Sequence, residues 1–183
     1  MEQHRVGASR QLKLPTIRVR QAAIEDADEC LELYRRVLEE GRWFITDPDE
    51  FAGTLAWQCR AIQDFQRRDN GAFFVACRGR EIVGVLTLQG GHLRRMAHAA
   101  KLEVFVDSSA RGLGVGRRLL QTAIDWAEAH PDLRKVGLAV FEDNARALSL
   151  YRSFGFEIEG RREGEYREPD GTLRADLLMH RSV

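Results

Sequence analysis

The chain has 183 residues, 44% of them apolar, and its 28 Lys+Arg are balanced by 28 Asp+Glu for a formal net charge of zero. That length fits one domain with its own core, and nothing in the composition suggests disorder. The charge balance argues against nucleic-acid binding through bulk charge, and no stretch is apolar or long enough to cross a bilayer.

Residues Met1 to Pro15 are polar and basic (Arg5, Arg10, Lys13) with no hydrophobic centre, so they read as a flexible N-terminal tail and not a secretory signal. Residues 16–183 then form one domain with no linker and no internal repeat. Thr16 to Ala22 alternates as a half-buried strand does, through Ile17 and Val19. Asp26 is placed to cap a helix that carries Cys30, Leu31, Tyr34, Val37 and Leu38 at helical spacing and stops at Gly41. After a link containing Trp43 and Phe44, Asp47-Pro48 reads as the N-cap and first residue of a second helix. That helix runs toward Arg67, with Phe51, Leu55, Ile62 and Phe65 on its inner face.

Ala72 to Cys77 and Ile82 to Gln89 form a hairpin about Gly79-Arg80, and Met96 to Val106 is a further extended segment. A loop with glycines at 112, 114 and 116 leads into a helix over Val115 to Ala129, stopped by Pro131. Val136 to Phe141 has few polar residues and reads as a central strand. Asn144 to Phe154 is a helix closed by Gly155, and Pro169-Asp170-Gly171 turns a last hairpin between Phe156–Glu168 and Leu173–His180. The order gives a mixed α/β fold with an antiparallel front half.

Cys30, Cys59 and Cys77 form no CxxC pair, so a disulfide framework or a zinc site is not expected and a reducing cytoplasm fits. His4, His92, His98, His130 and His180 show no ligand spacing, so no metal is expected.

The chemistry is concentrated in Arg111 to Gly116, RGLGVG, between a strand and a helix. Glycines allow close backbone approach and turn N–H groups toward one point, and the helix adds its positive end, so the segment suits a pyrophosphate. Arg117 and Arg118 add charge at the same end. No GxxxxGK[ST] string exists, and a GxGxxG fingerprint from Gly112 fails because Arg117 stands where its third glycine belongs.

RGLGVG resembles the RxxGxG acyl-CoA loop of the GCN5-related N-acetyltransferases (GNAT). LEVFVDSSA before it resembles that family's fourth strand, and VFEDNARALSLYRSFGFEIEGRR its fifth strand, fourth helix and sixth strand. The likeness spans residues 16 to 181 and is strongest from 98 to 162. It implies a mostly antiparallel, twisted sheet of about seven strands flanked by about four helices, with strands four and five splayed by a bulge.

The resemblance further implies acetyl-CoA as cosubstrate, an amine acceptor, no metal, no nucleic-acid or membrane partner, and a homodimer by analogy. Val104, Phe105 and Val106 would lie along the pantetheine arm, and Arg111, Gly112, Leu113, Gly114, Val115, Gly116 and Arg117 around the pyrophosphate. Asn144 matches the residue that bonds the pantetheine and is also placed as a helix N-cap. Tyr151, two helical turns on, matches the phenol that protonates the leaving thiolate.

Glu103 is the candidate base, although the histone-modifying members place their carboxylate where Ala100 stands here. Ala139 occupies the position of a glutamate in the ribosomal-protein N-terminal acetyltransferases, which argues against that substrate. Trp43 and Phe44, with Thr46, and Tyr166, with Glu165 and Asp176, are candidates for the acceptor pocket. The chain looks most like bacterial members that acetylate free amino acids and related small amines. Protein α-amines or lysines, aminoglycoside-type drugs, and a non-catalytic acyl-CoA-binding module stay open.

Overall fold

The computed structural model describes residues 16–183, so the tail expected at 1–15 lies outside the described residues. The elements are β1 (Ile17–Gln21), α1 (Ala27–Glu39), α2 (Leu55–Arg67), β2 (Gly71–Arg78), β3 (Glu81–Gly90), β4 (Ala99–Val106), α3 (Val115–Ala129), β5 (Lys135–Phe141), α4 (Ala145–Ser153), β6 (Glu157–Arg167) and β7 (Leu173–Ser182). The seven strands form one sheet in the order β1-β2-β3-β4-β5-β7-β6. β4 and β5 are its parallel pair, and every other neighbouring pair is antiparallel. Among the described residues no helix is long and apolar enough to cross a membrane.

Both faces of the sheet are covered, so its inner strands are apolar on both sides. In β2, Ala72, Phe74 and Ala76 join the core beneath α3 and α4, while Phe73, Val75 and Cys77 join the core beneath α1 and α2. β3 carries a bulge opposite Ala76 and Cys77, which leaves Val83 as its extra residue. The carbonyl of Val83 accepts the N–H of Asp107 at 2.9 Å and so fixes the end of β4.

Four local expectations are corrected. α2 starts at Leu55, capped by the Thr54 hydroxyl accepting from Trp57 N–H at 3.2 Å, and not at Pro48. Asp47 instead closes a turn with Glu50, and the Phe51 ring folds back over Gly53, where it fills the space of a Cβ. Phe51 thus packs on Tyr34 at 4.7 Å outside the helix, Leu55 is exposed, and Ile62 carries the inner face. The strand read from Met96 begins at Ala99, because residues 94 to 98 form turns. Asp26 does not cap α1 with its side chain; its carboxylate accepts from Ala23 N–H at 2.7 Å and pairs with Arg20 at 2.6 Å. The expected bulge in β4 is absent: β3 and β4 stay in register from Gly84↔Val106 to Gly90↔Ala100.

The sheet holds α3 closely at Gly84. A Cβ there would meet Val115 Cγ1 at 2.9 Å and Leu119 Cδ1 at 3.0 Å. Valine has a far better strand propensity than glycine, so propensity alone favours Gly84→Val. The clash opposes it, and we expect a net loss of about 1–3 kcal/mol, typical of overpacking. The urea midpoint checks this; an unchanged or higher value would mean that α3 is not held at this distance.

Candidate active site

β4 and β5 pair over only three positions, Ala99↔Lys135, Ala100↔Val136 and Lys101↔Gly137, and then separate. β3 still holds β4, and β7 still holds β5 to its end at Phe141. A backbone edge is therefore left open within the sheet. Because the N–H of Asp107 points to β3, the two-residue alternation turns the backbone groups of Leu102, Val104 and Val106 toward the gap. The carbonyl of Val106 is taken by Arg111 Nε at 2.9 Å. Phe105, expected along the arm, has its backbone paired with β3 and offers only its ring.

The gap opens into a cleft of about 880 Å³ that passes through the sheet. Val104 and Val106 pack on the α3/α4 core, and Phe105 on the α1/α2 core. Of the residues expected in the site, Val104, Phe105, Val106, Arg111, Gly112, Gly114, Val115, Gly116, Arg117, Asn144, Tyr151, Glu103, Trp43, Phe44 and Tyr166 all line the cleft. Leu113 does not: the residue is 42% exposed, and its N–H is directed to Ala110 O at 3.4 Å. Glu165 also lies off the lining.

At one end the loop meets α3. Gly112 and Gly114 sit at φ +85° and +79°, where a side chain is strained. Gly114 caps α3 without a side-chain bond, and no acidic residue stands in the first turn. The first α3 bond back to the cap runs from Arg118 N–H to Gly114 O at 3.0 Å. The N–H groups of Val115, Gly116 and Arg117 therefore have no helical acceptor and present the positive end of the helix uncompensated. This suits an anion.

Arg111 is committed elsewhere: its guanidinium is bidentate to Glu40 at 2.5 and 2.8 Å. Arg36 reaches Asp107 at 3.0 Å, so the end of α1 grips both ends of the segment entering the loop. Arg118 turns away to Ile17 O at 3.2 Å, contrary to the expectation that it charges the loop. Arg117 rests on Ser153 Oγ at 3.1 Å and over the Phe154 ring, 5.3 Å from its centroid.

Asn144 caps α4, its Oδ1 accepting from Ala147 N–H at 3.1 Å, which leaves its amide N–H groups for the cleft. Tyr151 is 7% exposed and lines the cleft, and burial pushes its phenol up to about 12, so it is protonated at neutral pH. Glu103 stands on the opposite face with Phe105, 3.8 Å from Lys101.

Sequence reasoning missed Tyr34, Arg146 and Arg162 in the lining. The Tyr34 ring packs edge-on to Phe44 and Phe105 at 5.5 and 5.4 Å, and burial raises its phenol. Its helical spacing had marked it only as core. Among the described residues no group of three or more His, Cys, Asp or Glu side chains is placed to hold a metal ion.

A main-chain edge for an extended ligand, a helix N-terminus with no side-chain cap and a buried phenol thus share one cleft. The sequence profile of the acetyltransferase (GNAT) family matches residues 27–156. The chain is 36% identical over 98 residues to L-amino acid N-acetyltransferase AaaT of Escherichia coli (strain K12), a match that spans 50% of this chain and 60% of that protein. The crystal structure of a GNAT-family acetyltransferase from Streptococcus pneumoniae superposes with a TM-score of 0.88 at 27% identity, covering 92% of this chain and all of that one. A phosphinothricin acetyltransferase from Sinorhizobium meliloti, solved in complex with acetyl-CoA, superposes at 0.81 with 19% identity over 92% of this chain and 89% of its own. With the matched profile covering the open β4 edge, the glycine loop and α4, this chain belongs to the GNAT family of acetyltransferases.

Proposed function

We propose that the protein transfers an acetyl group from acetyl-CoA to the primary amine of a small molecule, an amino acid or a related amine, by direct attack. The observation that carries the reading is the meeting of the open β4 edge with the uncapped N-terminus of α3 in one cleft. The pantetheine amides pair with Val104 as an added strand would. The N–H groups of Val115, Gly116 and Arg117 hold the pyrophosphate, and the glycines at 112 and 114 let it approach. Asn144 donates its free amide N–H to the arm.

On the other face the acceptor amine lies among Trp43, Phe44 and Tyr166, whose cleft-lining positions suit a small molecule. Glu103, through water, takes the proton that an ammonium must lose before attack. A backbone N–H of the open edge stabilises the charge that develops on the thioester oxygen. Tyr151 supplies a proton to the departing sulfur; a phenol is protonated at neutral pH, and burial raises it further. The small, exposed Ala139 leaves room in the gap between β4 and β5. Cys30, Cys59 and Cys77 are free thiols, which fits a reducing cytoplasm. The kinship with an enzyme that carries L-amino acid in its name favours the amino-acid acceptor.

Gly114→Asp places a carboxylate at the anion site and strains a left-handed position, and we expect calorimetry to find no CoA binding. Unchanged affinity would remove the loop from the reading. Tyr151→Phe is expected to lower kcat by about 10²-fold or more, in the range of a lost general acid, with a smaller change in KM. Wild-type turnover by this variant at saturating substrate means that another group is the acid. Glu103→Gln is expected to lower kcat/KM at neutral pH, with the defect shrinking as pH rises toward the pKa of the amine, where the acceptor arrives already deprotonated. A defect independent of pH argues against a base. Tight CoA binding with no thioester consumed on any amine identifies a non-catalytic module instead.

A further inference from the structure

On the α1 face of the cleft Asp176 and Arg162, neither of them used in the steps above, form a polar cluster with Tyr166 in which the carboxylate is buried. Asp176 is 1% exposed and stands on β7 opposite Phe141 of β5 and Arg162 of β6. Its carboxylate accepts from Arg162 Nε at 2.9 Å, from the second guanidinium nitrogen at 2.5 Å, and from the Tyr166 hydroxyl at 3.1 Å. The same Arg162 nitrogen donates to the Tyr166 oxygen at 2.8 Å. A register shift between Arg162 and Tyr166 sets four steps of β6 against two of β7, from Asp176 to Arg174. That irregularity returns the phenol of Tyr166 to the cluster.

A buried ion pair adds little net stability over an apolar filling of the same volume. What this one does is orient a guanidinium. Asp176 and Tyr166 engage two of its three nitrogens, which leaves Nη1 as the third donor of a side chain that lines the cleft. Nη1 already holds a carboxylate: Glu165, exposed beside the cleft, accepts from it at 2.7 Å. An exposed pair of that kind is worth only about 0–1 kcal/mol and is readily displaced.

The other arginines lining the cleft, Arg111, Arg117 and Arg146, belong to the loop, α3 and α4. Lys101 shares the face of Arg162 but has a 66% exposed side chain and lies beside Glu103, so nothing orients it. Trp43 and Phe141, their rings 6.4 Å apart with the Arg174 guanidinium over both, line the cleft beside the cluster.

Resting on the small-amine reading above, we propose that Arg162 recognises a carboxylate on the acceptor, with Asp176 and Tyr166 as positioning residues, so that amino acids are preferred over amines that lack the carboxylate. A carboxylate on the acceptor meets the held guanidinium at Nη1 through a charge-assisted hydrogen bond and displaces Glu165.

The test measures kcat/KM on two matched acceptor pairs, L-phenylalanine with phenethylamine and L-leucine with isoamylamine, at saturating acetyl-CoA. The wild-type enzyme should favour the acid of each pair. Arg162→Gln should reduce the acid-to-amine ratio by roughly 10- to 100-fold, the range for a hydrogen bond to a charged group. Glu165→Gln, an exposed change that leaves the buried cluster whole, should raise the ratio by removing the competing carboxylate; a purely structural cluster gives no such gain. The inference is overturned if the wild type does not prefer the acids. It also fails if Arg162→Gln slows both members of a pair equally, or if Lys101→Ala abolishes the preference while Arg162→Gln keeps it. Turnover without carboxylate preference overturns this inference alone, whereas acetyl transfer to none of the four acceptors contradicts the small-amine reading and this inference with it.

Discussion

The site depends on one departure from regular sheet geometry: a parallel pair that lasts three residues and then opens. Backbone N–H and C=O groups inside a fold need partners, so an opening in the middle of a sheet is costly unless something fills it. Here β3 and β7 keep both strands fully paired on their outer sides, which confines the loss to the facing edges of β4 and β5. Arg111 satisfies the carbonyl of Val106 from within the chain. The remaining groups form a binding edge of main chain, whose recognition does not depend on which side chains flank it. The two faces of β4 then separate the chemistry, with even-numbered residues toward α3 and α4 and odd-numbered residues toward α1.

The glycine loop next to this edge is free in backbone but held at its margins. Gly84 lets the first turn of α3 sit on β3. On the other side, α1 contributes Arg36 to Asp107 and Glu40 to Arg111. Hydrogen bonds from Ser109 and Arg36 outweigh the opposing effect of burial and hold the Asp107 carboxyl below its usual range, so that anchor is charged at neutral pH. The same helix carries Tyr34 and Val37 into the cleft lining and leads directly into the link with Trp43 and Phe44. The anion end and the acceptor wall therefore share one support, and displacement of α1 alters both.

Most of the fold was legible because its signals are local. Helical and strand periods, Gly41, Pro131, Gly155 and the Pro169-Asp170-Gly171 turn mark the elements in their observed order. The glycine spacing of 111–116 marks the loop because only a positive φ at 112 and 114 gives that path. The reading went astray where one local signal serves two structures. Asp47-Pro48 opens turns as well as helices, and Gly53 with the folded-back Phe51 ring decides for the turn. Asp26 is a good cap by type, yet Arg20 and Ala23 N–H claim its carboxylate. The roles of Arg111 and Arg162 were not legible at all. Their partners, Glu40 and Asp176, are brought to them by tertiary packing, 71 and 14 residues away in the chain. A basic residue beside a glycine loop reads as a phosphate ligand until its ion pair is seen.

Net charge was a poor guide to the cleft for the same reason. A chain with equal numbers of acidic and basic residues casts no long-range field that would steer an anion. The cleft nevertheless gathers four arginines, and ion pairing sorts them. Arg111 is neutralised by Glu40 and Arg162 by Asp176, whereas Arg117 and Arg146 have no carboxylate partner among the described residues. The pairing that removes Arg111 from the anion site leaves the helix N-terminus and Arg117 as its positive groups. Dipole and backbone donors act within about one helical turn and fade with distance faster than a free charge. Capture of a phosphate here is thus a matter of close fit to the loop, and specificity for the rest of the ligand falls to the main-chain edge of β4.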